Sequence, residues 1–129
     1  MSRKKLIKVR FDRGETGWAE NLGHSTVRVA NIPLTKRYNI DDVVELKPPA
    51  SEDDWPRLGQ VLQRRYAKKS SVSYPAPHQK NYTSLRKAFT KRGCKIEGMI
   101  EGWALVAHDR GVDLEALAQS AGVRVKVKG

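Results

Sequence analysis

Basic side chains interleaved with aromatic rings are the residues of this sequence whose types and spacing could do chemistry. Residues 57–95 contain no Asp or Glu but eleven basic residues: Arg57, Arg64, Arg65, Lys68, Lys69, Lys80, Arg86, Lys87, Lys91, Arg92 and Lys95. Three tyrosines and one histidine are interleaved with them: Tyr66, Tyr74, His78 and Tyr82. Cations bind phosphate backbones and rings stack on unpaired bases, a combination typical of grooves for single-stranded nucleic acid. The alternative is a solvated face that only keeps the protein soluble.

The net charge of +11 on 129 residues exceeds what solubility requires and is unevenly distributed. Residues 1–47 carry a net charge of +4, the acidic residues of 52–54 carry −3, and residues 57–129 carry +10. Such clustering predicts a polyanionic or acidic partner. A basic surface serves nucleic acid and an acidic protein surface equally well, so both classes of partner stay open.

We expect six cations to contact phosphates and two rings to contact bases. The cations are Arg64, Arg65, Lys68, Lys69, Lys87 and Lys91. The rings are Tyr74 and Trp103. A large aromatic residue on a central strand also commonly packs in a core. If Trp103 is such a residue, its replacement by Ala should cost about 3 to 5 kcal/mol of stability.

Sequence patterns for catalysis, metal binding and membrane insertion are absent. The three histidines lack the spacing of metal ligands, and there is no P-loop, nucleotide-binding glycine fingerprint or Gly-x-Ser-x-Gly elbow. We therefore expect no enzyme, no cofactor and no metal. Charged residues interrupt the apolar run that a signal peptide needs, no apolar stretch reaches membrane-spanning length, and the single Cys94 allows no internal disulfide. A cytoplasmic protein without membrane contact is the expectation.

The first half of the chain alternates apolar and polar residues in short segments. This alternation predicts strands near residues 7–11, 18–22, 27–29 and 42–46, with turns about ten residues apart. A fifth strand at residues 58–66 either finishes this unit or bridges to the second half. Strands of this kind predict a small N-terminal antiparallel β-barrel or curled sheet. We place this unit at residues 1–68.

The second unit, residues 69–129, shows the order β-α-β-β-α-β. A basic loop is expected at residues 67–71, a strand at 72–74, a helix at about 82–92, a hairpin at 94–108, a helix capped by Asp113, and a last strand at 123–127. The hairpin turn is expected at Glu101 and Gly102. This order is that of a ferredoxin-like βαββαβ split sandwich, so the sequence predicts an α+β protein of two units.

Four short motifs resemble those of an uncharacterised bacterial domain family of unknown function. They are Trp18-Ala19-Glu20, Asn31-Ile32-Pro33, Asp42-Val43-Val44-Glu45, and Gly93-Cys94 with Glu97-Gly98. The resemblance covers most of the chain and implies a two-part architecture and a bacterial or phage origin. Because that family has no established activity, the resemblance implies no functional residue.

Residues 101–108, EGWALVAH, are similar to the octamer of RNA-recognition motifs. That octamer runs basic, Gly, aromatic, Gly or Ala, aromatic, aliphatic, any residue, aromatic. It lies here on the third strand of a βαββαβ unit, where the motif belongs, with Glu101 in place of the basic residue and Leu105 in place of the second aromatic. The resemblance implies that Trp103 stacks on an unpaired base.

Three classes of function follow from these patterns. The first, which we expect, is a non-catalytic basic nucleic-acid-binding module that favours RNA or single-stranded DNA. The second is a protein-binding inhibitor or adaptor of bacterial or phage origin, for example in anti-defence, that docks on an acidic surface. The third is an enzyme. A basic groove with exposed rings would favour nucleic acid, whereas an exposed apolar patch ringed by charge would favour a protein partner.

Overall fold

The structure, a computed structural model, describes residues 5–129. These residues form two compact units that divide between Tyr66 and Ala67, two residues before the expected boundary. Residues 1–4, with which the expected first unit begins, lie outside the described residues. The chain is an α+β protein, with five strands in the described part of the first unit and four strands and two helices in the second.

Five strands build the first unit. They are β1 (Leu6–Asp12), β2 (Glu15–Gly23), β3 (Thr26–Val29), β4 (Val43–Lys47) and β5 (Arg57–Gln63). Each strand pairs antiparallel with the next, and β5 returns to β1 through a short parallel pairing of Arg57 with Arg10. This last pairing closes the sheet into a barrel, so the fifth strand completes the unit.

Alternate side chains of these strands point into the barrel and fill its core. The buried strand residues are Val9, Phe11, Ala19, Val27, Val29, Val44 and Leu58, and Tyr38 from the connection between β3 and β4 packs with them. Successive residues of a strand face opposite sides of a sheet, so the neighbours of these positions face outward. Lys8 and Trp18 are such neighbours, and they lie opposite each other in the register of β1 and β2.

The second unit places six elements in the expected order. They are β6 (Lys68–Ser73), α1 (His78–Lys91), β7 (Lys95–Ile100), β8 (Trp103–His108), α2 (Leu114–Ser120) and β9 (Lys126–Lys128). The four strands form a sheet in the order β7-β8-β6-β9, and every neighbouring pair is antiparallel. The predicted hairpin is present, with Gly102 in the left-handed conformation at its turn.

Helices α1 and α2 cover one face of this sheet. Their buried residues Leu85, Phe89, Leu114 and Ala118 pack with Val72, Tyr74, Ala104 and Val106 of the sheet side. The predicted cap of α2 is confirmed, because an oxygen of the Asp113 carboxylate accepts the Ala116 main-chain N–H at 3.0 Å. Among residues 5–129, no helix has the length and apolar character needed to span a membrane.

Three element boundaries of the second unit differ from the expectation. The predicted loop at residues 67–71 is mostly β6, because main-chain pairing of Lys68–Ser73 with β8 and β9 forms a strand without apolar alternation. Helix α1 begins at His78 rather than near residue 82, with Pro77 as its N-cap. Proline is tolerated at a helix start because the first N–H groups have no intrahelical partner. Strand β9 begins only at Lys126.

Candidate nucleic-acid interface

Helix α1 presents a strongly basic surface. Five cations are exposed on it or at its C-cap: Lys80, Arg86, Lys87, Lys91 and Arg92. Within residues 5–129, none of these side chains makes a hydrogen bond or an ion pair. The helix itself contains no Asp or Glu. We call these five residues the α1 basic face.

Three of the five cations lie in one row along the helix. Lys80, Lys87 and Lys91 are seven and four residues apart, so at about 100° per residue they fall within about 40° of one another. At about 1.5 Å per residue the row is about 16 Å long. Leu85 and Phe89 are buried against the sheet, so the row faces away from the core. It is an elongated stretch of positive charge without a neutralising partner in the described residues.

Two of these cations lie at the C-terminal end of α1. Lys91 lies in the last turn and Arg92 is the C-cap, after which Gly93 takes a φ of +87°. The C-terminus of a helix carries a partial negative charge that favours nearby cations. A left-handed glycine at this place lets the chain leave the helix. The fold therefore tolerates cations here that remain available to an outside anion.

A cleft runs between α1 and α2 beside the basic face. The residues that line it are Ser84, Lys87, Ala88, Lys91 and Arg92 from the α1 side, and Leu117, Ser120 and Ala121 from the α2 side. The floor of this cleft is apolar, and the cations Lys87, Lys91 and Arg92 lie at its rim. The two expected phosphate ligands of this region, Lys87 and Lys91, are thus neighbours on one exposed surface.

Arg64 has a different environment from the one expected. Its Nε and Nη2 donate to the two carboxylate oxygens of Asp42 at 3.1 and 2.9 Å, and Nη2 also donates to the Arg37 carbonyl at 2.9 Å. The Asp42 side chain is fully buried. The hydrogen bonding of Arg64 to this carboxylate raises the pKa of Arg64 above its ordinary value, although burial opposes the rise. Arg64 therefore forms an ion pair within the first unit.

Arg65 also contacts its own unit. Its guanidinium lies over the ring of Tyr66, 4.3 Å from the ring centroid, and Tyr66 is buried. The planar guanidinium and the ring face attract each other electrostatically. Arg65 is exposed and keeps its charge at the surface, but its orientation is set by this contact.

Lys68, Lys69 and Trp103 lie on the sheet of the second unit. Lys68 is opposite His108, Lys69 is opposite Ala107, and Trp103 is opposite Ser73. Val72 and Ala104 pack on the helix side, so Lys69 and Trp103 belong to the other face of the sheet. Trp103 is partly exposed there.

The octamer similar to RNA-recognition motifs does not offer a continuous open face. Trp103, Leu105 and Ala107 alternate onto the face away from the helices, but Leu105 and Ala107 are buried. A row across the sheet runs from Trp103 through Ser73 to Lys126, which is exposed. One ring and one cation are therefore available near the start of β8.

Tyr74 packs on the helix side of the sheet. Its side chain is only 8% exposed, and its ring centroid lies 6.1 Å from that of His78 and 6.3 Å from that of Tyr82. Burial raises the pKa of Tyr74. The ring belongs to the core of the second unit and is not presented to a base.

One polar pair has the chemistry of a nucleophile and a base. The Ser70 hydroxyl lies 2.8 Å from Nε2 of His108, and Nδ1 of the same ring lies 3.0 Å from the Asp109 carbonyl. A carbonyl only accepts, so Nδ1 carries the proton and Ser70 donates to Nε2. Both side chains are buried and satisfied by each other. The hydrogen bond between Ser70 and His108 stabilises the sheet.

Among residues 5–129, no group of three or more His, Cys, Asp or Glu side chains could hold a metal ion.

Three cations of the α1 basic face are not among the phosphate ligands predicted from the sequence. Lys80, Arg86 and Arg92 lie in the acid-free stretch, but a helix drawn from residue 82 excludes Lys80 from its first turn. Pro77 is compatible with a helix start because the first N–H groups of a helix have no intrahelical partner. A helix predicted from this proline places Lys80 in the same row as Lys87.

Comparison with known proteins gives the fold. No family model and no curated protein matches this sequence. The chain is similar to the crystal structure of a hypothetical protein from Neisseria gonorrhoeae, with a TM-score of 0.57 and 13% identity, over 99% of this chain and 94% of that one. At this identity the similarity concerns the fold alone.

Proposed function

We propose that this chain is a non-catalytic nucleic-acid-binding module that favours RNA or single-stranded DNA over duplex. The observation that carries the proposal is the α1 basic face, with five exposed cations and no acidic partner in the described residues. A surface that serves solubility alone interleaves both signs of charge. A one-sign surface of this length attracts a polyanion.

Contacts to phosphates supply most of the affinity in this proposal. Lys87 and Lys91 keep their expected role, and Lys80, Arg86 and Arg92 join them. If all five bind a single strand, the logarithm of the association constant should fall with the logarithm of salt concentration with a slope of about −3.5.

A preference for single strands follows from exposed rings. Trp18 and Trp55 are 48% and 44% exposed, and Trp103 is partly exposed. Rings at a surface stack on bases that are not already stacked within a duplex. Tyr74 has no part in this proposal because its ring is buried.

We also propose a ferredoxin-like fold for the second unit and a cytoplasmic location. The element order and the antiparallel strand order β7-β8-β6-β9 support a ferredoxin-like split sandwich for the second unit. The free Cys94 is buried, which raises the pKa of its thiol, and this supports a structural cysteine in a reducing, cytoplasmic setting.

Charge reversal on α1 tests the proposal. The variant Lys87→Glu/Lys91→Glu should bind a short single strand much more weakly, with a salt slope smaller by about 1.4 because two phosphate contacts are lost. The matched control is Lys36→Glu/Arg124→Glu, since both of its residues are exposed and the change in net charge is the same. Fluorescence anisotropy measures both. Equal losses in the two variants would mean that binding follows net charge and not the α1 basic face.

An acidic protein surface is the second candidate partner. The cleft between α1 and α2 favours it, because an apolar floor that includes Leu117 and Ala121 is rimmed by cations. A protein partner needs the floor as well as the rim, whereas phosphates need only the rim. Competition between a polyglutamate peptide and a single strand of equal charge separates the two. A strand that binds at least tenfold more tightly supports nucleic acid, and the reverse order supports an inhibitor or adaptor.

A further inference from the structure

Two exposed tryptophans lie near Lys8 on the outside of the barrel. Lys8 lies directly opposite Trp18 in the pairing of β1 with β2. The Lys8 Nζ also lies 5.1 Å from the centroid of the Trp55 ring. The two tryptophans are 48% and 44% exposed, and neither belongs to the core of the barrel. We call Lys8, Trp18 and Trp55 the tryptophan platform.

Hydrogen bonds to side chains of the first unit anchor the main chain at both tryptophans. One carboxylate oxygen of Asp54 accepts both the Trp55 main-chain N–H and the Arg10 Nε, each at 2.7 Å. The hydrogen bond from Arg10 lowers the pKa of Asp54, so the carboxylate stays charged. Trp18 lies within β2, and its main-chain N–H donates to the Asn31 side-chain oxygen at 2.8 Å. A ligand would meet two rings on a main chain that is already ordered, which reduces part of the entropic cost of binding.

The Lys8 cation decides which kind of ligand fits the platform. Tryptophan is common in protein interfaces, but lysine is depleted at their centres. Surfaces for single-stranded nucleic acid combine stacked rings with cations that contact the backbone. Lys5, exposed at the start of β1, adds a further positive charge to the same strand region.

We infer that the tryptophan platform stacks on unpaired bases of a single strand, with Lys8 contacting an adjacent phosphate. This inference rests on the proposed function and assigns it a second contact surface on the other unit. The α1 basic face binds backbones of either form, whereas the platform binds only unpaired bases. The platform therefore supplies the preference for single strands.

The test compares two double variants of the full chain. Trp18→Ala/Trp55→Ala removes the platform rings, and Leu34→Ala/Leu62→Ala removes two leucines that are 52% and 53% exposed. Each variant is titrated by fluorescence anisotropy with labelled oligodeoxythymidine and with a duplex of the same length. Stacking contributes about 5- to 150-fold in affinity per base, so the platform variant should bind the single strand at least about tenfold more weakly. Its duplex affinity and the leucine control should match the unmodified protein.

The other outcomes separate a failure of the tryptophan platform from a failure of the proposed function. Unchanged single-strand affinity in the platform variant overturns this inference and leaves the proposed function standing. An equal loss for duplex overturns it as well, because stacking requires unpaired bases. If the unmodified protein binds neither form, the proposed function fails and the inference with it. Should the double variant not fold, Trp55→Ala alone must weaken single-strand binding about fivefold or more, or the inference is wrong.

Discussion

Replacing Arg64 by Gln should destabilise the barrel strongly. The Asp42 carboxylate is fully buried, and Arg64 supplies two of the three hydrogen bonds that it accepts. The third comes from the Asn39 main-chain N–H at 2.8 Å. Arg64→Gln removes the only cation bonded to this carboxylate within the described residues and leaves its buried negative charge unpaired.

The expected loss of stability is about 2 to 4 kcal/mol. Removing one partner of a buried ion pair typically costs about 3 to 5 kcal/mol, because the remaining charge is left uncompensated. The Arg64 side chain is 39% exposed, so water can partly solvate the site and the lower part of this scale applies. For a chain of this length, the loss corresponds to a drop in melting temperature of roughly 10 °C or more.

Thermal and urea unfolding followed by far-UV circular dichroism measure this effect at neutral pH. Arg65→Gln is the matched control, because the same residue type is lost at the next position, where the guanidinium lies over the Tyr66 ring and not against a buried carboxylate; a cation–π contact at an exposed site is worth about 0.5 to 1 kcal/mol. Arg64→Lys keeps the charge but loses the two-pronged geometry, so its stability should fall between the two.

A result in which Arg64→Gln and Arg65→Gln unfold at the same temperature would refute this reasoning. The prediction also bears on binding. Because the Arg64 guanidinium is engaged with Asp42, Arg64→Gln should not weaken nucleic-acid binding at a temperature where the variant is folded. A loss of binding in a fully folded variant would return Arg64 to the phosphate-contacting residues.

Further predictions concern packing, a buried polar pair and acid stability. Gly17→Ala would push its methyl group into a buried ring of β1 and should cost about 1 to 3 kcal/mol, whereas Gly14→Ala enters open space and should change urea unfolding little. Ser70→Ala leaves Nε2 of His108 buried without a donor and should cost about 1 to 3 kcal/mol in the same titration; an unchanged midpoint would show that the ring finds another partner. The arginine partner lowers the pKa of Asp54 below its ordinary 3.8, so the stability that this carboxylate contributes is present above that pH and is lost as pH falls through the folded-state value. In Asp54→Asn, melting temperature should therefore fall less steeply with acid than in the unmodified protein.

The sequence predicts most of the elements because their determinants are local. Period-two alternation marks the strands of the barrel, and Gly102 and Asp113 mark a turn and a helix cap. The first part of β6, residues 68–71, is not predicted as strand, because it has no apolar alternation and owes its conformation to pairing with distant strands. The start of α1 does not follow from the sequence, because Pro75 and Pro77 are compatible with either a strand end or a helix N-terminus.

The candidate site is only partly predictable for a similar reason. Lys87 and Lys91 follow from helical spacing, but the partner of Arg64 lies 22 residues away along the chain. The side of the sheet on which Tyr74 lies depends on the register of β6. Trp55 lies in an irregular segment without periodicity, and its place beside Lys8 depends on closure of the barrel.

Direct binding of nucleic acid tests the central claim. Fluorescence anisotropy of the unmodified protein is measured against short single-stranded RNA, single-stranded DNA and duplex, each at low and at near-physiological salt. We predict that the protein binds single strands with submicromolar affinity, that this binding persists at the higher salt, and that it is tighter than the binding of duplex. Weak binding that disappears with salt and does not distinguish the three forms would contradict it, because that behaviour is generic electrostatic attraction.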